Sequence, residues 1–206
     1  MLAHGLNIPA GVTFLVGENG SGKSTLIEAL ADAHGLNPEG GSRSVRHSSR
    51  VTESPLGGLL KVIRTPGRPL SAYFLRAETM HGLYTYLEGL PGSPDADLHE
   101  RSHGEGFLEL LDRKFHGYGF YLMDEPEAPL SFTSTLGLLA RLQALRDDGA
   151  QVVIATHSPV LTALPGATIL ELGAHGIRRV EWSSLEIVAH WRRFLESPDS
   201  YLRSLL

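Results

Sequence analysis

Short apolar runs alternate with longer amphipathic segments along most of the chain. The apolar runs predict buried strands at 12–16, 59–63, 72–75, 120–123 and 151–155. The amphipathic segments predict helices at about 23–34, 78–90 and 104–115, and a further helix after Ser131. Because strands that alternate with helices build a parallel sheet covered by helices, we predict an α/β fold with a mostly parallel sheet.

Local signals add detail to the C-terminal half. Ser131 is predicted to cap the long helix. The apolar stripe of that helix is predicted to consist of Leu136, Leu139, Leu142 and Leu145. Segments 168–172 and 177–182 predict a hairpin, and the stretch SSLE at 183–186 predicts a capping box that opens the last helix.

Composition limits the class of protein. A chain of 206 residues, 42% of them hydrophobic, can bury one core, so we predict a single domain over residues 1–206. The absence of cysteine excludes disulfides and thiolate zinc sites. No run approaches the roughly 18 apolar residues that a membrane span needs, and the first residues lack a signal-peptide pattern. We therefore expect no membrane span and a cytoplasmic location.

The charge of the chain counts against direct nucleic-acid binding. The formal net charge is −5, and the lysines are Lys23, Lys61 and Lys114 alone. Contacts along a nucleic-acid backbone need clustered cations. Arg43, Arg46 and Arg50 do share one polar loop, which we interpret as a solvated segment.

The stretch GENGSGKST, residues 17–25, satisfies the pattern G-x-x-x-x-G-K-[ST] between a predicted strand and a predicted helix. Glycines let backbone N–H groups face phosphate oxygens, and the helix N-terminus adds the positive end of its dipole. Lys23 is predicted to reach the β- and γ-phosphates, and Ser24 to bind Mg²⁺. The predicted nucleotide-binding residues are Gly17, Glu18, Asn19, Gly20, Ser21, Gly22, Lys23, Ser24 and Thr25.

Two carboxylates follow the apolar run FYLM. An aspartate at the end of a strand beside a phosphate loop holds Mg²⁺ through water, so Asp124 is predicted as a magnesium ligand. Glu125 suits a general base that polarises the attacking water. The same pattern also occurs where a strand simply ends in solvent, and the upstream phosphate loop favours the functional interpretation.

His157 follows the apolar run at 151–155 after one threonine. A single histidine after a strand is more often structural than catalytic. Ligand sites of α/β proteins, however, lie at the carboxyl ends of such strands. We therefore predict that His157 senses the γ-phosphate.

The segment LHERSHGEGFLEL, residues 98–110, contains a literal H-E-x-x-H from His99 to His103, the pattern of zinc proteases. It also fits a serine-glycine turn that opens a phosphate-binding helix. A zinc protease needs both histidines on one face of an established helix, whereas prolines and glycines surround this segment. A protease would also leave the other motifs without a role, so we favour phosphate binding.

In chain order, GENGSGKST, SHGE, YLMDEPEAPLS and IATHSP resemble the motifs of ABC-type ATPases, and more closely those of small stand-alone bacterial ATPases of the AAA family. The fragments GLNPEGGSRS, FLRAET and FLESPDSYL extend the resemblance over nearly the whole chain. It implies a P-loop NTPase of the RecA-like, ABC-ATPase type, with a short helical lobe at about 77–118. It also implies two copies packed head to tail, each signature facing the nucleotide of the other copy.

By this resemblance, residues 102–105 stand at the place of the signature Leu-Ser-Gly-Gly-Gln, from which they differ at two positions. Ser102, Gly104 and Glu105 are therefore predicted to bind the nucleotide of the partner copy. Glu78 is expected to stand in for the Q-loop glutamine as a metal ligand. Ser131 occupies the place of the D-loop aspartate.

Together these residues predict an ATPase that uses ATP and Mg²⁺, dimerises transiently when ATP binds, and serves an unidentified protein partner. Two rivals stay open: a nucleotide-gated binding module with negligible turnover, and the ATPase subunit of a membrane transporter. A P-loop small-molecule kinase would leave His157 and the signature-like turn without a role. The acidic charge and the lack of coiled-coil arms count against direct clamping of DNA.

Overall fold

A seven-stranded sheet forms the centre of the protein. The computed structural model describes residues 5–42, 56–63, 71–79 and 103–203. The strands are β1 (Gly11–Val16), β2 (Gly41–Ser42), β3 (Ser71–Arg76), β4 (Gly119–Asp124), β5 (Gln151–Ala155), β6 (Thr168–Gly173) and β7 (Gly176–Val180). Their order is β2-β3-β4-β5-β1-β6-β7. The five central strands β3, β4, β5, β1 and β6 are parallel to their neighbours. At the two edges of the sheet, β2 pairs antiparallel with β3, and β7 pairs antiparallel with β6. The predicted α/β fold with a mostly parallel sheet is confirmed.

Helices connect these strands. They are α1 (Lys23–Ala33), α2 (Leu56–Leu59), α3 (His103–Lys114), α4 (Phe132–Asp147), α5 (Glu186–Glu196) and α6 (Pro198–Leu202), with 3₁₀ turns at Leu161–Ala163 and Trp182–Ser184. Within the described ranges, no helix has the length and apolar character to cross a membrane.

The central strands bury both of their faces. Because successive side chains of a strand point to opposite sides, Tyr121 and Met123 of β4 pack in a cluster with α3 and α4. Leu122, between them, packs in a second cluster with Leu26 and Ile27 of α1. This two-sided burial explains why the sequence of the strand is a continuous apolar run and does not alternate between apolar and polar residues.

Two predictions about short segments need correction. No strand forms at 59–63: the chain ends a short helix at Leu59 and continues without regular structure. Leu59 is 79% exposed and Ile63 is 87% exposed, so this apolar run has no core to pack on. The capping box is also wrong, because Ser184 belongs to a 3₁₀ turn and α5 has Leu185 as its N-cap, without a side-chain hydrogen bond. The helix predicted at 78–90 falls almost wholly outside the residues described.

The long helix α4 begins as predicted but buries a different stripe. Ser131 caps it, since the Ser134 N–H donates to the Ser131 hydroxyl at 3.2 Å. The buried side chains are those of Thr135, Leu138, Leu142 and Leu145, whereas Leu139 is half-buried and Leu136 is 45% exposed. The apolar stripe is therefore rotated by about one position at the start of the helix. The predicted hairpin is confirmed as the antiparallel pair β6–β7.

This rotation can be tested by comparing two leucines of α4. Leu138→Ala is expected to lower the free energy of unfolding by about 2–5 kcal/mol, because it leaves a cavity in a fully buried position. Leu136→Ala should lower it by less than about 1 kcal/mol, because that side chain is partly in water. Urea denaturation measures both, and equal losses would contradict the observed stripe.

Candidate nucleotide site

Three motif-bearing loops meet at one edge of the sheet. The strands β4, β5 and β1 are neighbours and run parallel, so their carboxyl ends lie together. The loop after β1 carries Gly17–Gly22, the loop after β4 carries Glu125, and the loop after β5 carries His157. The fold thus brings together residues that are up to 140 positions apart (157 − 17) in the sequence.

The loop after β1 adopts a backbone that requires glycine. Gly20 and Gly22 have φ values of 80° and 93°, a left-handed conformation that other residues rarely adopt. A Cβ atom on Gly17 would collide with the carbonyl oxygen of Leu172 and the side chain of Ser21. Helix α1 starts at once after Gly22 and has no side-chain cap. Its first N–H groups can therefore bind an anion, as the P-loop prediction requires.

The side chain of Lys23 folds back onto the same loop. Its ammonium group donates to the carbonyl oxygens of Gly17, at 2.8 Å, and Glu18, at 3.1 Å. Burial lowers the pKa of Lys23, and the nearby carboxylates, first of them Glu125 and Asp124, oppose that shift. The positive charge of Lys23 is thus held under the loop where phosphates are predicted to bind.

Ser24 and Asp124, the two predicted magnesium ligands on the phosphate loop and on β4, are in direct contact. The Ser24 hydroxyl donates to Oδ1 of Asp124 at 3.2 Å across 100 positions of the sequence. Burial is the main reason that the pKa of Asp124 is raised to about 6, against a lowering effect from Arg76 and from the Ser24 hydrogen bond. The hydroxyl and the carboxylate are suitably placed to share one cation.

Arg76, at the end of β3, is a part of the site that the sequence did not reveal. Its guanidinium lies 2.6 Å from Glu28 on α1, and its Nε lies 3.7 Å from Oδ2 of Asp124. Glu78, the predicted metal ligand, contacts Arg76 at 3.0 Å and its side chain is 79% exposed. Glu78 is therefore connected to Asp124 through Arg76. The only sequence signal for Arg76 was a cation directly after a predicted strand.

Glu125 and His157 face each other across the two loops after β4 and β5. Oε1 of Glu125 lies 3.6 Å from Nε2 of His157. Glu125 has a φ of 48°, and among the residues described it alone has a positive φ without being a glycine. This left-handed backbone costs roughly 1–2 kcal/mol, and such strain is concentrated at functional sites. The predicted base and the predicted sensor are thus neighbours.

The signature prediction falls partly outside the described residues. Ser102 lies there, as do His99 and Glu100 of the H-E-x-x-H pattern. Helix α3 starts at residue 103, and its Gly104 lies against the loop after β4, where a Cβ atom would be 3.4 Å from the carbonyl oxygen of Pro129. Glu105 is exposed in the first turn. The part of the chain that the structure covers holds no group of three side chains suited to a metal ion.

The loop–helix junction and the strand order define the class of a P-loop nucleotide-binding domain. A protein-family model described as "AAA domain, putative AbiEii toxin, Type IV TA system" matches residues 12–70, which include the phosphate loop. The chain also resembles the head domain of an SMC protein from Thermotoga maritima, at 17% identity and a TM-score of 0.48 over 85% of this chain and 92% of that one.

Two relatives are ATP-binding proteins. The "Putative ABC transporter ATP-binding protein" of Streptomyces avermitilis is 30% identical over 174 residues, which are 75% of this chain and 30% of that protein. The "Cytochrome c biogenesis ATP-binding export protein CcmA" of Rhizobium meliloti is 28% identical over 195 residues, 80% of this chain and 86% of that protein. The chain therefore spans less than a third of the Streptomyces relative. The matched family model and these relatives support the resemblance of the chain to ABC-type ATPases of the AAA family.

The raised pKa of Asp124 predicts that its ionised form destabilises the ligand-free protein. The folded pKa of about 6 exceeds the ordinary 3.8, so between about pH 4 and 6 the folded state keeps a proton that the unfolded state loses. The free energy of unfolding therefore falls as pH rises through this window. Asp124→Asn removes that loss and is expected to raise the free energy of unfolding by about 1–3 kcal/mol at pH 7.5.

Urea denaturation at pH 4 and pH 7.5 measures this effect. At pH 4 the increase in the free energy of unfolding caused by Asp124→Asn should be smaller, because the wild-type carboxyl is then protonated in the folded state. The matched control is Asp148→Asn, an exposed carboxyl after α4, which should shift the free energy of unfolding by less than about 0.5 kcal/mol. A variant equally stabilised at both pH values would contradict this account.

Proposed function

We propose that this chain binds ATP with Mg²⁺, hydrolyses ATP, and does so as a transient homodimer formed when ATP binds. The observation that carries the proposal is the Ser24–Asp124 hydrogen bond beside the ammonium group of Lys23. It joins the phosphate-binding motif to the buried carboxylate of β4. The loop itself holds backbone donors that suit a chain of phosphates.

Buried polar atoms that lack a hydrogen-bond partner, on residues of the site, support the binding of a ligand. Buried atoms without a hydrogen-bond partner include Oγ of Ser21, Nε of Arg76, Oε2 of Glu127 and Nε2 of His157. Buried polar groups are normally paired, and exceptions mark functional sites or unseen ligands. Ser21 belongs to the phosphate loop and His157 faces Glu125. Phosphate oxygens would accept hydrogen bonds from the Ser21 hydroxyl and from an N–H at Nε2 of His157.

The residues present also fit Mg²⁺. A hydroxyl and a carboxylate are hard oxygen ligands of the kind that Mg²⁺ prefers, and Ser24 and Asp124 would hold the ion. When bound, Mg²⁺ neutralises charge on the phosphates. Glu78 remains a predicted metal ligand that would have to leave its ion pair with Arg76 to reach the ion.

Glu125 and His157 have different roles in the proposed hydrolysis. Glu125 is half-exposed and its left-handed backbone turns it out of the strand. Its carboxylate accepts a proton from water as the water oxygen bonds to the γ-phosphorus, while the bond from that phosphorus to the β–γ bridging oxygen breaks and ADP leaves. His157 donates from Nε2 to the departing phosphate. Lys23 offsets the phosphate charge.

Completion of the site by a second copy follows from the family resemblance. Helix α3 begins at the predicted signature, and Gly104 places its first turn against the loop that follows Glu125. In a head-to-tail dimer, Ser102, Gly104 and Glu105 of one copy would face the nucleotide of the other. The positive end of the α3 dipole favours phosphate there.

A second candidate function is the ATPase subunit of a membrane transporter. It is favoured by the two relatives described as a transporter ATP-binding protein and as an export protein. A transporter subunit is expected to hydrolyse ATP faster when its membrane partner is present, whereas a stand-alone ATPase reaches its full rate alone. Comparison of turnover by the purified chain with turnover in membrane extracts of the source cells separates the two.

The role of Glu125 predicts a separation of binding from turnover. Glu125→Gln is expected to lower kcat by at least about 100-fold, because the amide cannot accept the proton of water. ATP affinity should stay within about threefold, because the phosphate loop is unchanged. Steady-state hydrolysis and equilibrium binding of a fluorescent ATP analogue measure these quantities. Glu186→Gln, an exposed glutamate on α5, is the matched control, and undiminished hydrolysis by Glu125→Gln would refute the assignment.

The homodimer predicts an ATP-dependent mass. Glu125→Gln should be a monomer without nucleotide and a dimer with ATP and Mg²⁺, because ATP is bound but not consumed. Light scattering after size exclusion measures the mass. Adding Ser102→Ala should weaken the dimer at least about tenfold, by removal of one phosphate contact from each copy. A monomer in both conditions, with nucleotide demonstrably bound, would contradict the dimer and require a zinc-binding test of residues 98–110.

A further inference from the structure

We infer that Glu127 is a positioning residue that fixes the loop of His157 relative to Glu125. The inference rests on the proposed hydrolysis, since it assigns a role within that reaction. Glu127 lies two residues after the proposed base, in the turn that follows β4. It was not singled out by any pattern in the sequence.

One oxygen of Glu127 holds the loop after β5. Oε1 accepts a hydrogen bond from the Thr156 hydroxyl at 2.5 Å and another from the His157 backbone N–H at 2.9 Å. The Thr156 hydroxyl oxygen in turn accepts from the Ser158 N–H at 2.9 Å. Thr156 and His157 are therefore bonded directly to this carboxylate, and Ser158 is connected to it through the Thr156 hydroxyl.

The same turn carries the proposed base. The Ala128 N–H donates to the carbonyl oxygen of Glu125 at 3.0 Å, which closes the turn on which Glu127 sits. The Glu125 N–H donates to the carbonyl of Ala155 at 2.9 Å, directly before Thr156. Backbone and side-chain bonds thus join the two loops on both sides of the gap. Across that gap, His157 Nε2 and Glu125 Oε1 lie 3.6 Å apart.

The hydrogen bonds identify what Glu127 must supply. Both donors approach Oε1, whereas Oε2 is buried without a partner. One well-placed acceptor oxygen is therefore enough to hold the loop. Glutamine provides such an oxygen and nearly the same shape but no negative charge, whereas alanine provides neither. The two substitutions separate the positioning of His157 from a direct effect of the charge.

The kinetic experiment compares Glu127→Ala, Glu127→Gln, His157→Ala and the double variant of Glu127→Ala with His157→Ala. Glu127→Ala is expected to lower kcat about 10- to 100-fold with KM within about threefold, the scale of loss when a supporting group or a small misplacement is involved. Glu127→Gln should recover to within about threefold of wild type. The double variant should be no slower than His157→Ala alone, because the two residues act in one unit. Glu186→Ala serves as the control.

Three kinetic results would overturn the inference. Glu127→Gln as slow as Glu127→Ala would mean that the charge itself acts. A raised KM with unchanged kcat would place Glu127 in nucleotide binding. A double variant whose loss is the product of the two single losses would mean that Glu127 does not act through His157.

A second readout is independent of turnover, so failure of the proposed hydrolysis would not leave the inference unanswered. Hydrogen–deuterium exchange of the nucleotide-free protein reports the His157 amide, which donates to Glu127. Peptides covering 156–158 should exchange at least about tenfold faster in Glu127→Ala than in wild type and near the wild-type rate in Glu127→Gln. Unchanged exchange in Glu127→Ala would refute the positioning role. Wild-type protein that binds ATP without hydrolysing it would refute only the proposed function.

Discussion

The buried carboxylate of Asp124 is the constraint on which the rest of the site depends. Withdrawing a carboxylate from water costs several kcal/mol unless nearby groups compensate. The Ser24 hydroxyl and the Arg76 guanidinium provide part of that compensation, yet the pKa of Asp124 still rises to about 6. The compensation in the protein alone is thus incomplete. A cation at Ser24 and Asp124 would complete it. The free energy of unfolding is thus lowered at the position where the proposed chemistry needs a negative charge.

The sheet supplies the rigidity that this arrangement needs. The backbone ladder continues past the ends of the strands: the Thr156 N–H donates to the carbonyl of Leu15 at 3.1 Å, and the Glu125 N–H donates to that of Ala155 at 2.9 Å. The first residues of the loops after β5 and β4 are therefore bonded to the neighbouring strands β1 and β5. The sheet thus fixes the points at which these loops begin, and the hydrogen bonds described above position the side chains on them.

The sequence predicted the parts of the site whose residues are adjacent along the chain. Residues 17–25, the pair Asp124-Glu125 and the strand before His157 each carry their pattern within about ten positions. Arg76 and Glu127 went unrecognised because their partners come from other strands and helices, and nothing near them in the chain identifies those partners. The error at 59–63 had a related cause. An apolar run predicts a strand only if a core covers it, and that depends on the whole fold.

The groups proposed to hold phosphate and the groups proposed to act on water belong to different segments. Lys23 and the backbone of its loop precede and open α1, whereas Glu125, Glu127 and His157 lie on the loops after β4 and β5. Substitution of the residues on the loops after β4 and β5 would leave Lys23 and the phosphate loop unchanged. An ATPase and a nucleotide-gated switch built on this fold therefore differ by a few side chains on two loops, and not by their architecture. Because Glu127 joins those two loops, the choice between the two functions rests on local geometry that the phosphate loop does not control.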